Sequence, residues 1–171
     1  MKALCMVAHP DDCVIFGYSY IYNHPELDWT VGYLTYTETD PRGQEMAAFW
    51  QRRGIDCVFL GFEDHWHDNE QKKFTRWHSD AAATACWHLA QHYDVVLTHS
   101  ADGDYGHIHH QLVHCAVSQH HNVVTFAQHS QGTVTLTVPP GTYTLDELPM
   151  HGNIIQSFHL DQHKNSYRET I

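Results

Sequence analysis

The stretch KALCMVAHPDD, residues 2–12, carries a mostly apolar hexamer, Lys2 to Val7, straight into a polar turn. A run of that length reads as a buried strand, and His-Pro-Asp-Asp ends it in a loop. Working outward, Val14 to Tyr22 is patterned as a helix. Trp29 to Tyr36 (WTVGYLTY) has the β-branched and aromatic content of a second strand. Asp40, with Pro41 behind it, marks the start of a helix that carries Met46, Phe49 and Trp50 on one face and has Gly54 just past its end.

The alternation continues. Ile55 to Leu60 reads as a third strand and Thr75 to His92 as a helix with Ala82, Ala85, Cys86, Leu89 and Ala90 facing the core. Asp94 to Thr98 is a fourth strand. A polar, glycine-containing loop follows from His99 to Gly106, then a helix from His107 to His120 and a strand at Val123 to Ala127. Strands alternating with helices predict an α/β fold, a Rossmann-like three-layer sandwich with a mainly parallel sheet. Gly132 to Val138 alternates like an edge strand, and the last thirty residues carry weak periodicity. The expectation is a single domain over residues 1–171, its tail beyond about residue 130 weakly patterned.

Composition narrows the function. The 171 residues include 42% apolar and 17% charged, enough to fold and to bury roughly 70% of the extended chain's surface. Nine Lys and Arg against 20 Asp and Glu give a formal charge of −11, which argues against a phosphate-backbone partner. No stretch approaches the roughly 18 consecutive apolar residues of a membrane span, and the N-terminus meets a histidine and two acids too early for a secretory signal. The reading is a soluble, cytoplasmic protein, with no nucleic-acid or membrane partner. The five cysteines lack CxxC spacing and sit mostly in apolar segments, as reduced, buried thiols do.

Two polar clusters fall just after strands, where open α/β sheets bind their ligands. The first is Ala8 to Asp12; the second runs from His99 to His110. Strands one and four are commonly neighbours where strand order reverses, so the two loops are expected to face each other. His9 and Asp12 are three apart where a loop rolls into a helix, a spacing that turns both side chains to one side. His107 and His110 repeat that spacing. A histidine and a carboxylate from the first loop, with one histidine from the second, would make a catalytic zinc site whose fourth position is left to water. His114, four residues after His110, reads as a residue of a solvated helix face rather than a ligand, and the run His65-Trp66-His67-Asp68 as adventitious binding or simple solvation. Trp50, Trp77 and Trp87 read as packing residues.

These residues resemble the LmbE-like and PIG-L-type zinc-dependent N-deacetylases. The resemblance covers roughly the first 130 residues and rests on AHPDD after strand one, GDYGHIHH after strand four and the Arg42 to Glu45 segment opening the second helix. It implies zinc, or iron(II) in its place, held by His9, Asp12 and His110, with Asp11 as general base. It implies that His107 stabilises the oxyanion or protonates the leaving amine, and that Arg42 contacts substrate. Asp64, Asp104 and Tyr105 are further substrate-facing candidates. The implied reaction is removal of an acyl group, most simply acetyl, from an N-acetylglucosamine-like amino sugar, with a zinc-activated water as nucleophile. The chain departs from the family pattern at Cys13, where an acid is usual, and at His107-Ile108-His109-His110, where the family reads HPDH. Two alternatives stay open, a catalytically impaired metal- or sugar-binding homologue, which that departure suggests, and a different metal hydrolase, such as a phosphoesterase, using the same three ligands. A homo-oligomer is the other partner considered.

Overall fold

The computed structural model describes residues 1–64, 76–126, 134–137 and 164–169. Seven strands form one sheet: β1 (Lys2–Val7), β2 (Asp28–Thr35), β3 (Asp56–Phe62), β4 (Val95–Thr98), β5 (Val123–Phe126), β6 (Val134–Thr137) and β7 (Lys164–Glu169). Their order is β3-β2-β1-β4-β5-β7-β6. The first five run parallel, while β7 pairs antiparallel with β5 and with β6. The mainly parallel sheet agrees with the expectation, and β6 lies at the sheet edge as its alternation suggests. The strand at Lys164–Glu169 was not foreseen.

Alternate residues of β1 explain why its sequence is apolar throughout. Ala3, Cys5 and Val7 pack with Val14, Tyr18, Ile21, Met46, Phe49 and Trp50, whereas Leu4, Met6 and Ala8 pack with Ala82, Cys86, Ala90, Val113 and Val117. Helices α1 (Tyr18–Asn23) and α2 (Pro41–Gln51) therefore cover one face, and α3 (Arg76–Ala90) and α4 (Ile108–Val117) the other. A strand with both faces covered has no polar alternation to show. The buried set of α3, Ala82, Cys86 and Ala90, is part of the face read from its periodicity. None of the helices among the described residues is long and apolar enough to cross a membrane.

Three local expectations are revised. The segment expected as one helix begins as a π-helical turn, Cys13–Gly17, and becomes α-helical only at Tyr18. Asp40 occupies the N-cap of α2, but its carboxylate accepts from the Thr37 backbone N–H and hydroxyl, both at 2.7 Å, instead of from the helix. Of the cysteines, Cys5, Cys13 and Cys86 are buried and unpaired in disulfides, whereas Cys115 is exposed. The His65 to Asp68 run and the Trp77 side chain lie outside the described residues.

The start of α2 is set by a close approach. A Cβ on Gly43 would stand 1.9 Å from the Thr37 carbonyl oxygen, a backbone atom that cannot rotate away. Gly43→Ala is expected to cost about 1–3 kcal/mol through overpacking, read as a lower urea midpoint, and to push the neighbouring Arg42 out of place.

Candidate metal centre and active site

The site forms where β1 and β4 end side by side. Cys5 pairs with Leu97 and Met6 with Thr98, so the loops after the two strands leave the sheet as neighbours. Ala8 is pinned from both sides: its N–H donates to His99 Nε2 at 2.9 Å, and its carbonyl accepts from the Thr35 N–H and hydroxyl at 3.0 and 2.7 Å. The chain then turns tightly, with the Asp12 N–H donating to the His9 carbonyl and the His9 N–H to Asp12 Oδ2 at 2.7 Å. Asp12 therefore faces back toward His9 and makes no side-chain cap to the helical turn that follows.

The second loop is shaped by Gly103, at φ +76°, where a Cβ would meet the His107 carbonyl at 2.6 Å. It brings Asp104 inward. One Asp104 oxygen accepts from the Ser100 N–H at 3.0 Å and the Ser100 hydroxyl at 2.9 Å; the other accepts from His99 Nδ1 at 2.5 Å and His110 Nδ1 at 2.9 Å. These bonds fix two tautomers. His99 carries its proton on Nδ1, since its Nε2 accepts from Ala8, and burial keeps it neutral. With Nδ1 of His110 donating to Asp104, the lone pair on its Nε2 points into the site.

Three donor atoms converge there. His9 Nδ1 is 3.1 Å from Asp12 Oδ2 and 3.2 Å from His110 Nε2, and the last two are 3.2 Å apart. All three residues are at least 90% buried. Ligands about 2.0–2.1 Å from a tetrahedral zinc stand about 3.3 Å apart, so a cation of that size fits the triangle. The electrostatics point the same way. Burial opposes charge on Asp12, but His110 and His9 outweigh it and hold its carboxyl well below the usual range. Burial likewise opposes charge on the two histidines, yet Asp12 and Asp64 push His9 up to about 10, and Asp12 and Asp104 push His110 up to about 9.

The neighbouring groups divide by what holds them. Asp11, next to Asp12, lies outside the triangle and accepts from Arg42 Nη2 at 2.9 Å. Burial and the Asp12 charge raise its pKa, against the pull of Arg42. Arg42 Nη1 donates to the Tyr36 hydroxyl at 2.8 Å, and that hydroxyl donates to Asp64 Oδ2 at 2.9 Å. His107 caps α4: its Nδ1 accepts from the His109 N–H at 3.2 Å, which leaves its proton on Nε2. Burial, then His9 and the other histidines, lowers its pKa to about 2. His107 is therefore a neutral ring with an N–H donor at Nε2. Tyr105, 52% exposed, lies at the rim with its ring 5.2 Å from that of His110.

The structure thus gathers His9, Asp11, Asp12, Arg42, Asp64, Asp104, Tyr105, His107 and His110 into one region. Asp104, one of the expected substrate-facing residues, has both oxygens hydrogen-bonded, to His99, Ser100 and His110. Tyr36, His99 and His109 were not singled out by the sequence. Tyr36 closes β2 at φ +65°, a backbone state a bulky residue rarely adopts and one often found beside functional groups. His114, read as a non-ligand, donates from Nδ1 to the His99 carbonyl at 2.9 Å.

A profile of the PIG-L family, described as GlcNAc-PI de-N-acetylase, matches residues 4–121, more than half of the chain and all of the loops just described. The chain belongs to this family. By that membership it is a hydrolytic N-deacetylase. No match is found among curated proteins. Among solved structures, the chain is similar to the N,N'-diacetylchitobiose deacetylase of Pyrococcus horikoshii, at 13% identity and a TM-score of 0.62, covering 99% of this chain and 83% of that one. It is also similar to a deacetylase of teicoplanin biosynthesis solved with teicoplanin, at 10% identity and a TM-score of 0.68, covering 99% and 97%. The 4-carboxy-2-hydroxymuconate hydratase GalB of Pseudomonas putida KT2440 matches at 14% identity and a TM-score of 0.61, covering 99% and 96%. At such identities these likenesses establish the fold, and a hydratase among them shows that the frame carries more than one chemistry.

Proposed function

We propose that this PIG-L family member hydrolyses the acetamide of an N-acetylated amino-sugar derivative, using a divalent cation, zinc before iron(II), held by His9, Asp12 and His110. The observation that carries the reading is the donor triangle with edges of 3.1, 3.2 and 3.2 Å. The sugar rests on the family description and on the substrates named for the chitobiose and teicoplanin deacetylases.

A cation held there supplies Lewis-acid polarisation of the amide carbonyl and lowers the pKa of water beside it. The remaining work belongs to the chain. Asp11, outside the ligand set and with its pKa raised by burial and by Asp12, takes the proton of the attacking water and returns it to the leaving amine. The Nε2–H of neutral His107 donates to the carbonyl oxygen as negative charge develops on it. Arg42, already beside Asp11, presents a fork of donors to sugar hydroxyls, and Tyr105 offers an exposed ring at the rim. Water adds to the carbonyl carbon, the C–N bond breaks, and acetate and a free amine result.

Acetate release from N-acetylglucosamine derivatives is expected to vanish after chelation and return on adding one equivalent of zinc or iron(II). Protein that neither binds either metal nor releases acetate in its presence would overturn the proposal.

A further inference from the structure

A histidine that binds a cation through one nitrogen needs a partner on the other, because that partner decides where the proton sits. For His110 the partner is Asp104, 2.9 Å from Nδ1. For His9 it comes from farther away. His9 Nε2 lies 3.0 Å from His109 Nδ1 and 3.4 Å from Asp64 Oδ1, and those last two atoms are 3.7 Å apart.

We propose that Asp64, acting with His109, is a positioning residue for His9: the pair draws the imidazole proton to Nε2 and leaves the Nδ1 lone pair aimed between Asp12 and His110. This rests on the cation site proposed above. The tautomer problem is real at this position. Asp12 Oδ2 stands 3.1 Å from Nδ1, and with nothing on the far side a neutral ring would place its proton on Nδ1, facing that carboxylate in the space a cation must occupy. An anion on the Nε2 side reverses the preference.

Asp64 suits the task. Its Oδ1 is a buried atom that receives no hydrogen bond within ordinary distance, so its charge is directed at the His9 and His109 nitrogens and not spent elsewhere. The Tyr36 hydroxyl holds the other oxygen at 2.9 Å, with Arg42 Nη1 at 3.8 Å beyond. The result is a chain of contacts from Asp11 through Arg42, Tyr36 and Asp64 to His9, which returns to the ligand loop where it began. His109 stands where the family pattern has the aspartate of HPDH, so the anion beside the second loop is supplied here from the end of β3.

The test uses full-length metal-free protein and titrates cobalt(II), followed by visible absorption, and zinc in competition with a chromophoric chelator. Asp64→Ala and His109→Ala are each expected to bind one equivalent of either metal 10- to 100-fold more weakly than the parent. The cobalt spectrum is expected to change shape, and Asp64→Glu to recover part of the affinity. A residue with a merely structural role would lower the melting temperature without moving the spectrum. Affinities within twofold of the parent, with an unchanged spectrum, would overturn the inference while leaving the cation site standing; a parent that binds no metal would remove both. Should Asp64→Ala fail to fold, His109→Ala decides the question alone.

Discussion

Asp11→Asn is expected to lower kcat by roughly 10²- to 10⁴-fold, the usual contribution of a general base, while the protein keeps one equivalent of bound metal. The two neighbouring acids are separated by geometry. Asp12 Oδ2 lies in the donor triangle, whereas Asp11 Oδ1 points to Arg42 Nη2 at 2.9 Å. An amide at position 11 preserves size but cannot accept a proton. The change also leaves Arg42 without its anionic partner, so KM is expected to move too, by less than kcat. Metal content by elemental analysis and steady-state kinetics on the same preparation check both parts. A variant that keeps more than a third of parental kcat would count against Asp11 as the base. If the parent itself binds metal but turns over no N-acetylated sugar, the binding-module alternative takes the place of the hydrolase.

The sequence made the parallel half of the fold legible because those strands are covered on both faces. Continuous apolar runs such as Ala3 to Val7 and Val95 to Leu97 have few competing readings, and the polar residues just after them mark the ligand-binding edge. Strand β7 was illegible for the opposite reason. Lys164–Glu169 (KNSYRE) is almost wholly polar and joins the sheet antiparallel, so neither hydrophobicity nor βα alternation announces it. The site divides in a similar way. His9 and Asp12 stand out by their spacing in a short motif, His110 by the family resemblance and Asp64 by its place just after the third strand, whereas Tyr36 reaches the site through tertiary structure alone. Asp104 illustrates a further limit. Its sequence neighbourhood places it in the site, but the positive φ of 64° and the four hydrogen bonds that tie it to His99, Ser100 and His110 come from the folded loop.

His110→Ala and His107→Ala, three residues apart on one helix, are expected to fail in different ways. Loss of His110 removes one of the three proposed ligands, and metal affinity should fall by more than the roughly 100-fold that loss of an outer partner costs. It also takes one donor from Asp104, which keeps His99 and Ser100, so the added stability cost is about 1–3 kcal/mol. His107 is built for another task. Its Nδ1 is spent accepting the His109 N–H at the start of α4, and its Nε2 therefore carries a proton where a ligand would need a lone pair. His107→Ala should retain full metal occupancy and lose about 10²- to 10³-fold in kcat, as removal of an oxyanion donor does elsewhere. The loss of the cap adds a stability cost of about 1 kcal/mol. Because burial already holds His107 neutral well below neutral pH, its contribution should stay constant from pH 6 to pH 9. The pH profile in that range should therefore be unchanged in shape between parent and His107→Ala. A limb of the profile that disappears in the variant would show that His107 works as a titrating acid, and equal metal loss in both variants would remove the division of labour drawn between them.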